Sequence, residues 1–204
     1  MGLSTGPDNR SRWENVPIIK SEVIYLEMNI DPKLTLLSLE PFSLARMVGI
    51  SVEEYLSIYR AVGRDYLWNY RPGQTHEEIA TILHSPSTWM YLLKDGATTV
   101  GMAEIDATNP KSLELVHFGL IPSLLHKGIG KKFLHNMIQL MWSAGTERIW
   151  LSTCGLDHPK APRFYENAGF SRFKTAIGEF KDWRFTGFYD ATDAPQIPPG
   201  KPAL

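Results

Sequence analysis

Residues 114–144, ELVHFGLIPSLLHKGIGKKFLHNMIQLMWSA, constrain the fold of this chain more than any other stretch. The run opens as an apolar strand over 115–121, which Pro122 stops. It then passes through a glycine loop, His126-Lys127-Gly128-Ile129-Gly130, and continues as a helix. In that helix Ile129, Phe133, Met137, Leu140, Met141 and Ala144 recur at three- and four-residue steps. Lys131, Lys132, His135, Asn136 and Gln139 take the opposite side, so the helix is amphipathic. A strand, a glycine loop and a helix in succession aim several free backbone N–H groups at one point. The helix dipole adds partial positive charge there, so the point suits a phosphate.

The loop is not a Walker A sequence, because no glycine precedes Gly130 at the required distance and Lys132 stands where Ser or Thr would follow the lysine. It is not a dinucleotide fingerprint either, since Phe133 occupies the third glycine position. Taken alone, Gly128-Ile129-Gly130 reads equally as a tight turn that needs positive φ.

The flanks say more. Leu120-Ile121-Pro122 and Lys127-Gly128-Ile129-Gly130 resemble motif A of the GNAT superfamily of acyl-CoA-dependent N-acyltransferases, usually Val-x-Pro-x-x-Arg/Gln-Gly-x-Gly-x-Gly/Ala. Leu125 replaces the customary Arg or Gln, and His126 the first glycine. One strand and one helix later, Ala161, Tyr165, Glu166, Gly169 and Phe170 fit the GNAT ending Asn-x-x-Ala-x-x-x-Tyr-Glu-x-x-Gly-Phe, with His158 where Asn is usual. Two motifs in the family's order and separation are far more specific than either alone.

The resemblance implies acetyl-CoA as cosubstrate. It assigns the pantetheine arm to the main chain of Phe118, Gly119 and Leu120, and the pyrophosphate to Leu125, His126, Lys127, Gly128, Ile129, Gly130 and Lys131, with His158 at the usual Asn position. Tyr165 is implied as the general acid near the thioester sulfur; a phenol with an ordinary pKa of about 10 is protonated at neutral pH. Glu114 is the first candidate for the base, at the same fourteen-residue offset from Gly128 as the catalytic glutamate of histone-acetylating GNAT enzymes. A carboxylate entering an apolar strand is partly desolvated, which raises its pKa toward a useful value. His117 is the second candidate, since simple alternation puts it on the opposite face from Glu114 and a bulge would bring it back, and His158 is the third. Cys154 reads as a small buried filler, because no feature supplies the base and field that a nucleophilic thiolate needs.

Composition sets the outer bounds. A chain of 204 residues with 43% hydrophobic and 21% charged residues can bury a core. A net charge of −1 argues against nucleic acid or an anionic membrane as partner. One cysteine excludes an internal disulfide and fits a cytoplasmic location. No run reaches membrane-spanning length, no signal peptide is evident, and the six histidines show no metal-ligand spacing.

Along the chain, residues 1–20 read as an N-terminal arm, 21–190 as the GNAT-type domain, and 191–204 as an extended, loosely held, proline-rich tail. Residues 23–28 and 34–39 are both strand-like. Ser51 with Glu54 and Thr75 with Glu78 announce two helices, separated by the aromatic run Tyr66-Leu67-Trp68-Asn69-Tyr70. A hairpin turns at Lys94-Asp95-Gly96, and residues 170–174 and 183–189 offer final strand material. The expected fold is therefore α/β: a mixed, twisted GNAT-type sheet of six to seven strands, flanked by about four helices and splayed after Glu114. The expected activity is direct transfer of an acetyl group from acetyl-CoA to a primary amine in a ternary complex, by a monomer or homodimer. A rival reading is a catalytically degenerate acyl-CoA-binding module, motivated by Leu125, His126 and His158.

Overall fold

A computed structural model describes residues 13–125 and 127–202. Seven strands form one mixed sheet: β1 (Ile18–Met28), β2 (Ser43–Met47), β3 (Thr88–Asp95), β4 (Thr98–Asp106), β5 (Ser112–Leu120), β6 (Arg148–Cys154) and β7 (Ser171–Lys181). Their spatial order is β2-β3-β4-β5-β6-β1-β7, antiparallel throughout except for β5 with β6. Four α-helices flank the sheet: α1 (Val52–Gly63), α2 (His76–Leu83), α3 (Ile129–Ser143) and α4 (Ala161–Glu166).

Local chemistry accounts for most of these elements. Ser51 accepts from the Glu54 N–H and starts α1, and Thr75 and Glu78 form a reciprocal capping box at α2. Gly96 takes positive φ at the β3–β4 turn. Helices α1 and α2 lay Tyr55, Ile58, Tyr59, Val62, Ile79 and Leu83 on Met90, Leu92 and Met102 of one sheet face. On the other face Phe133, Met137 and Met141 of α3 meet Leu26, Leu93, Ile105, Leu113, Ile149 and Leu151, forming the main core.

Three segments depart from the sequence expectation. Residues 34–39 are not a strand: they cross α3, where Leu37 exchanges hydrogen bonds of 2.8 and 2.9 Å with the Asn136 side chain and the Thr35 carbonyl meets His135 at 2.9 Å. Helix side chains therefore satisfy backbone groups that a neighbouring strand would otherwise take. Residues 183–189 are not a strand either. Asp182 caps a 3-10 turn, Trp183–Thr186, through the Arg184 N–H.

The segment after residue 190, expected to be loosely held, is fastened. Ala194 and Ile197 are buried, Lys201 pairs with Ile18, and the Arg184 guanidinium donates to the Asp193, Ala194, Ile197 and Pro198 carbonyls. The strand at 23–28 is confirmed within β1, but as an interior strand between β6 and β7.

Candidate active site

The site exists because β5 and β6 part company. Their parallel pairing is confined to Ser112, Leu113 and Glu114 against Arg148, Ile149 and Trp150. Beyond Glu114 the strands diverge, leaving the β6-facing edge of β5 unpaired over the residues that lead to the glycine loop. A bulge lies beside the split. Glu104 pairs with His117 and Ile105 with Leu115, so Val116 is the extra residue on β5. Since Asp106 pairs with Glu114 two positions along, the bulge returns Glu114 and His117 to one face of the sheet.

The opening holds a cavity of about 1090 Å³, slightly above the usual volume of small-molecule sites. At one end stand Leu125, Gly128, Gly130 and Lys131, in the middle the β5 edge from Val116 to Leu120, and at the other end residues 66–70 with Ser152 and Cys154. Gly128 caps α3 with φ +80°, and no described residue accepts from the backbone N–H of Gly128, Ile129 or Gly130. Among the described residues these groups have no acceptor, which suits a ligand at the helix start.

Behind the β5 edge lies a buried polar cluster that the sequence reading missed. Tyr55 Oη donates to Glu104 Oε2 at 2.7 Å, Arg71 Nε donates to Tyr55 Oη at 2.8 Å, and Arg71 Nη2 pairs with Glu104 Oε1. Burial alone would raise the Glu104 carboxyl, but the charged form and hydrogen bond of His117, then Arg71 and Tyr55, outweigh it and hold the group at about 2. His117 Nδ1 stands 3.0 Å from Glu104 Oε2. An ionised carboxylate only accepts, so Nδ1 carries the proton and Nε2 is the lone-pair nitrogen, a tautomer assigned from the network. Burial lowers the His117 pKa against the opposing pull of Glu104, which keeps the imidazole neutral at pH 7. With the imidazole neutral, its Nδ1–H hydrogen bond still lowers the Glu104 carboxyl, together with Arg71 and Tyr55. Nε2 is buried without a hydrogen-bond partner among the described residues, amid the rings of Tyr59, Trp68 and Tyr70 at centroid distances of 5.1, 5.0 and 5.6 Å. Of the three rings only Tyr70 is exposed.

Of the residues expected at the site, Tyr165, His117, Phe118, Gly119, Leu120, Leu125, Gly128, Gly130, Lys131 and His158 line this one cleft. Glu114 does not line it; burial, Asp106 and Glu104 push its carboxyl up to about 7. Lys127 is exposed away from the lining, and the Ile129 side chain is buried in the main core, leaving only its main chain at the loop. His126 lies outside the described residues. Burial, with Asp157 assisting, keeps the Tyr165 phenol protonated well beyond neutral pH. The same causes push the Cys154 thiol up to about 12, which is the opposite of nucleophile activation. Among the described residues no group of side chains is arranged to hold a metal ion, and no helix is long and apolar enough to cross a membrane.

Solved structures share this architecture. A GCN5-related N-acetyltransferase from Sphaerobacter thermophilus superposes with a TM-score of 0.60 at 18% identity, over 84% of this chain and 55% of that one. An IAA acetyltransferase from Bacillus cereus gives 0.50 at 22% identity, over 65% of this chain and 79% of that one. An aminoglycoside acetyltransferase from an uncultured soil metagenomic sample, in complex with trehalose, gives 0.53 at 13%, over 65% and 90%. This chain thus spans about half the length of the Sphaerobacter protein. No curated protein sequence matches it. Residues 54–170, more than half of the chain, match the Acetyltransferase (GNAT) family, and with the split sheet, the glycine loop and Tyr165 in one cleft this chain belongs to that family.

Proposed function

We propose that the protein is an N-acetyltransferase that moves an acetyl group from acetyl-CoA directly to a primary amine in a ternary complex, with His117 as base and Tyr165 as acid. The observation that carries this reading is the His117 Nε2 lone pair: buried, unpartnered among the described residues, fixed through Nδ1 by Glu104, on a residue lining the same cleft as Tyr165. The residues fit the cosubstrate. The unpaired edge of Phe118, Gly119 and Leu120 supplies strand-like partners for its amides, and the Gly128, Ile129 and Gly130 N–H groups with Lys131 supply donors and charge for its diphosphate. When bound, acetyl-CoA supplies the activated acyl group.

The chain's own residues do the rest. The amine arrives as an ammonium ion, and neutral His117 takes its proton at Nε2 by direct contact or across one water. Glu104 stabilises the imidazolium that forms and, with Arg71 and Tyr55, holds the ring in register. Tyr165 delivers its phenolic proton to the departing sulfur. The rings of Tyr59, Trp68 and Tyr70 shield His117 from most of the solvent, so its protonation state is set mainly by these partners.

Thiol release from acetyl-CoA, followed with and without amines, tests the reading. His117→Ala and Tyr165→Phe are each expected to lower kcat by about 10²-fold or more with acetyl-CoA affinity nearly unchanged. Tight acetyl-CoA binding with no amine-dependent release from the wild-type protein would refute transfer and leave an acyl-CoA-binding module.

A further inference from the structure

Past Tyr70 the cleft continues into a chamber between residues 66–70 and the β6-β1-β7 part of the sheet. Its accessible lining is aromatic, Tyr66 and Tyr70 from residues 66–70 and Phe180 from β7, while Val23, Leu67 and Leu156 beside them are buried. Gly178 belongs to this wall for a packing reason. A Cβ there would come within 2.7 Å of the Phe180 ring and 2.8 Å of Val23 Cγ2, so these side chains already fill the space above it. The far end is fixed by Asn69 Nδ2 donating to the Lys181 carbonyl at 2.7 Å and by Tyr189 Oη donating to the Trp68 carbonyl at 2.8 Å.

The charges of the lining are uneven. Glu179 is tied to Lys20 at 2.8 Å, and Glu104, behind the wall, is paired with Arg71. Asp157 is the one lining carboxylate that forms no ion pair among the described residues. Its Oδ2 accepts from Thr153 Oγ1 at 2.7 Å and from the Cys154 N–H at 2.9 Å, while no described residue donates to Oδ1. The cations of the lining, Lys131, Lys160 and Arg163, are all on or at the start of α3 and α4. A polyamine or aminoglycoside would therefore place its further ammonium groups against aromatic walls or toward like charge, with only Glu179, already shared with Lys20, to receive one.

We infer that the acceptor is a monoamine on a flat apolar body, its single ammonium received by Asp157 Oδ1 between Tyr165 and His117 and its body held by the rings of Tyr66, Tyr70 and Phe180. The inference rests on the acyl-transfer reading above and narrows its substrate class. An amine so placed is within the field of Asp157, which also acts on His117 and Tyr165, so the carboxylate holds the ammonium until the imidazole removes its proton.

The test is thiol release from acetyl-CoA with 2-phenylethylamine, spermidine and kanamycin as acceptors. A kcat/KM for 2-phenylethylamine about tenfold or more above the other two is expected. Equal or better use of spermidine or kanamycin overturns the inference while leaving transfer itself intact. Bound acetyl-CoA with no amine-dependent thiol release overturns both. Asp157→Asn keeps an acceptor for Thr153 and Cys154 and is expected to raise KM for 2-phenylethylamine about tenfold, with acetyl-CoA affinity within about twofold. Phe180→Glu adds a second carboxylate to the wall and is expected to move the preference toward spermidine, a gain that misfolding cannot imitate. A Phe180→Glu protein that keeps the wild-type preference counts against the chamber as the acceptor site.

Discussion

His117 Nδ1 lies 3.0 Å from Glu104 Oε2, and that contact decides which nitrogen of the imidazole is left to act. Glu104 in turn depends on Arg71, whose guanidinium and carboxylate partner are both nearly inaccessible to solvent. Removing the cation strands a buried charge. Arg71→Met is expected to cost about 3–5 kcal/mol in urea unfolding at pH 7, and Glu104→Gln to lower kcat by about 10²-fold or more through loss of the fixed tautomer. An Arg71→Met protein as stable as wild type would mean that the cluster contributes nothing to the fold.

The same carboxyl sets an acid limit on stability. Glu104 is held at about 2, below its ordinary 4.5, so the folded state favours the ionised form. Its contribution is complete above pH 4.5 and is lost as pH falls from there through 2. Wild-type unfolding free energy should therefore drop more steeply between pH 5 and pH 3 than that of Glu104→Gln. Parallel pH profiles would exclude Glu104 as a source of acid sensitivity.

Glu114 runs the other way. Burial and the neighbouring carboxylates Asp106 and Glu104 raise it to about 7, so folding favours its protonated form. Stability is then lost as pH rises from 4.5 toward 7, and the penalty persists above that. Glu114→Gln is expected to melt higher than wild type at pH 8, with the gap closing by pH 4. Because Glu114 lies off the cleft lining, the variant should retain most of the kcat, and a loss as large as that of His117→Ala would return Glu114 to the role of base.

Legibility followed sequence distance. The strand, glycine loop and α3 could be read because their signals are local: Pro122 ends the strand, and Gly128 carries the positive φ that turns the chain into the helix. The capping residues Ser51 and Thr75 were legible for the same reason. Glu104 was not. It sits inside the apolar run Val100-Gly101-Met102-Ala103-Glu104-Ile105, and its partners Arg71 and His117 are 33 and 13 residues away. A lone carboxylate in such a run was the available clue, since it can be buried there only if paired. The apolar alternation of residues 34–39 misled because the groups that satisfy their backbone belong to α3, about a hundred residues on. The interior position of β1 was equally hidden, as its neighbours β6 and β7 come from the other end of the chain.

Gly128 is open to a direct conformational test. Its φ is +80°, and a Cβ placed there would meet nothing within 4 Å. Any cost of Gly128→Ala therefore comes from the backbone, about 1–2 kcal/mol for the left-handed conformation, and none from a clash. Urea unfolding should show that loss or a smaller one. Acetyl-CoA affinity should fall further if the loop relaxes its φ and turns the Gly128, Ile129 and Gly130 N–H groups away. An alanine variant that loses no stability and keeps its acetyl-CoA affinity would show that the loop holds its φ with a side chain present. Unchanged affinity in a variant whose loop has relaxed would show that those amides do not hold the diphosphate.

The segment beyond residue 183 acts on the site from a distance. Arg184 binds Asp182 through two nitrogens, at 2.9 and 2.8 Å, and donates to four carbonyls of residues 193–198. The segment it gathers includes Tyr189, buried against Leu67 and donating to the Trp68 carbonyl at 2.8 Å. Trp68 packs on His117, so this hub reaches the proposed base through two contacts. Arg184→Met leaves the Asp182 carboxylate and several carbonyls without their donor, a loss of about 1–3 kcal/mol at pH 7. Limited proteolysis should then cut within residues 190–202 sooner than in wild type. If the segment positions the acceptor wall, KM for the amine rises severalfold while acetyl-CoA affinity, set at the opposite end of the cleft, stays put. Early cleavage with an unchanged amine KM would show that the wall formed by residues 66–70 holds its shape without the segment, and would confine Arg184 to stability alone.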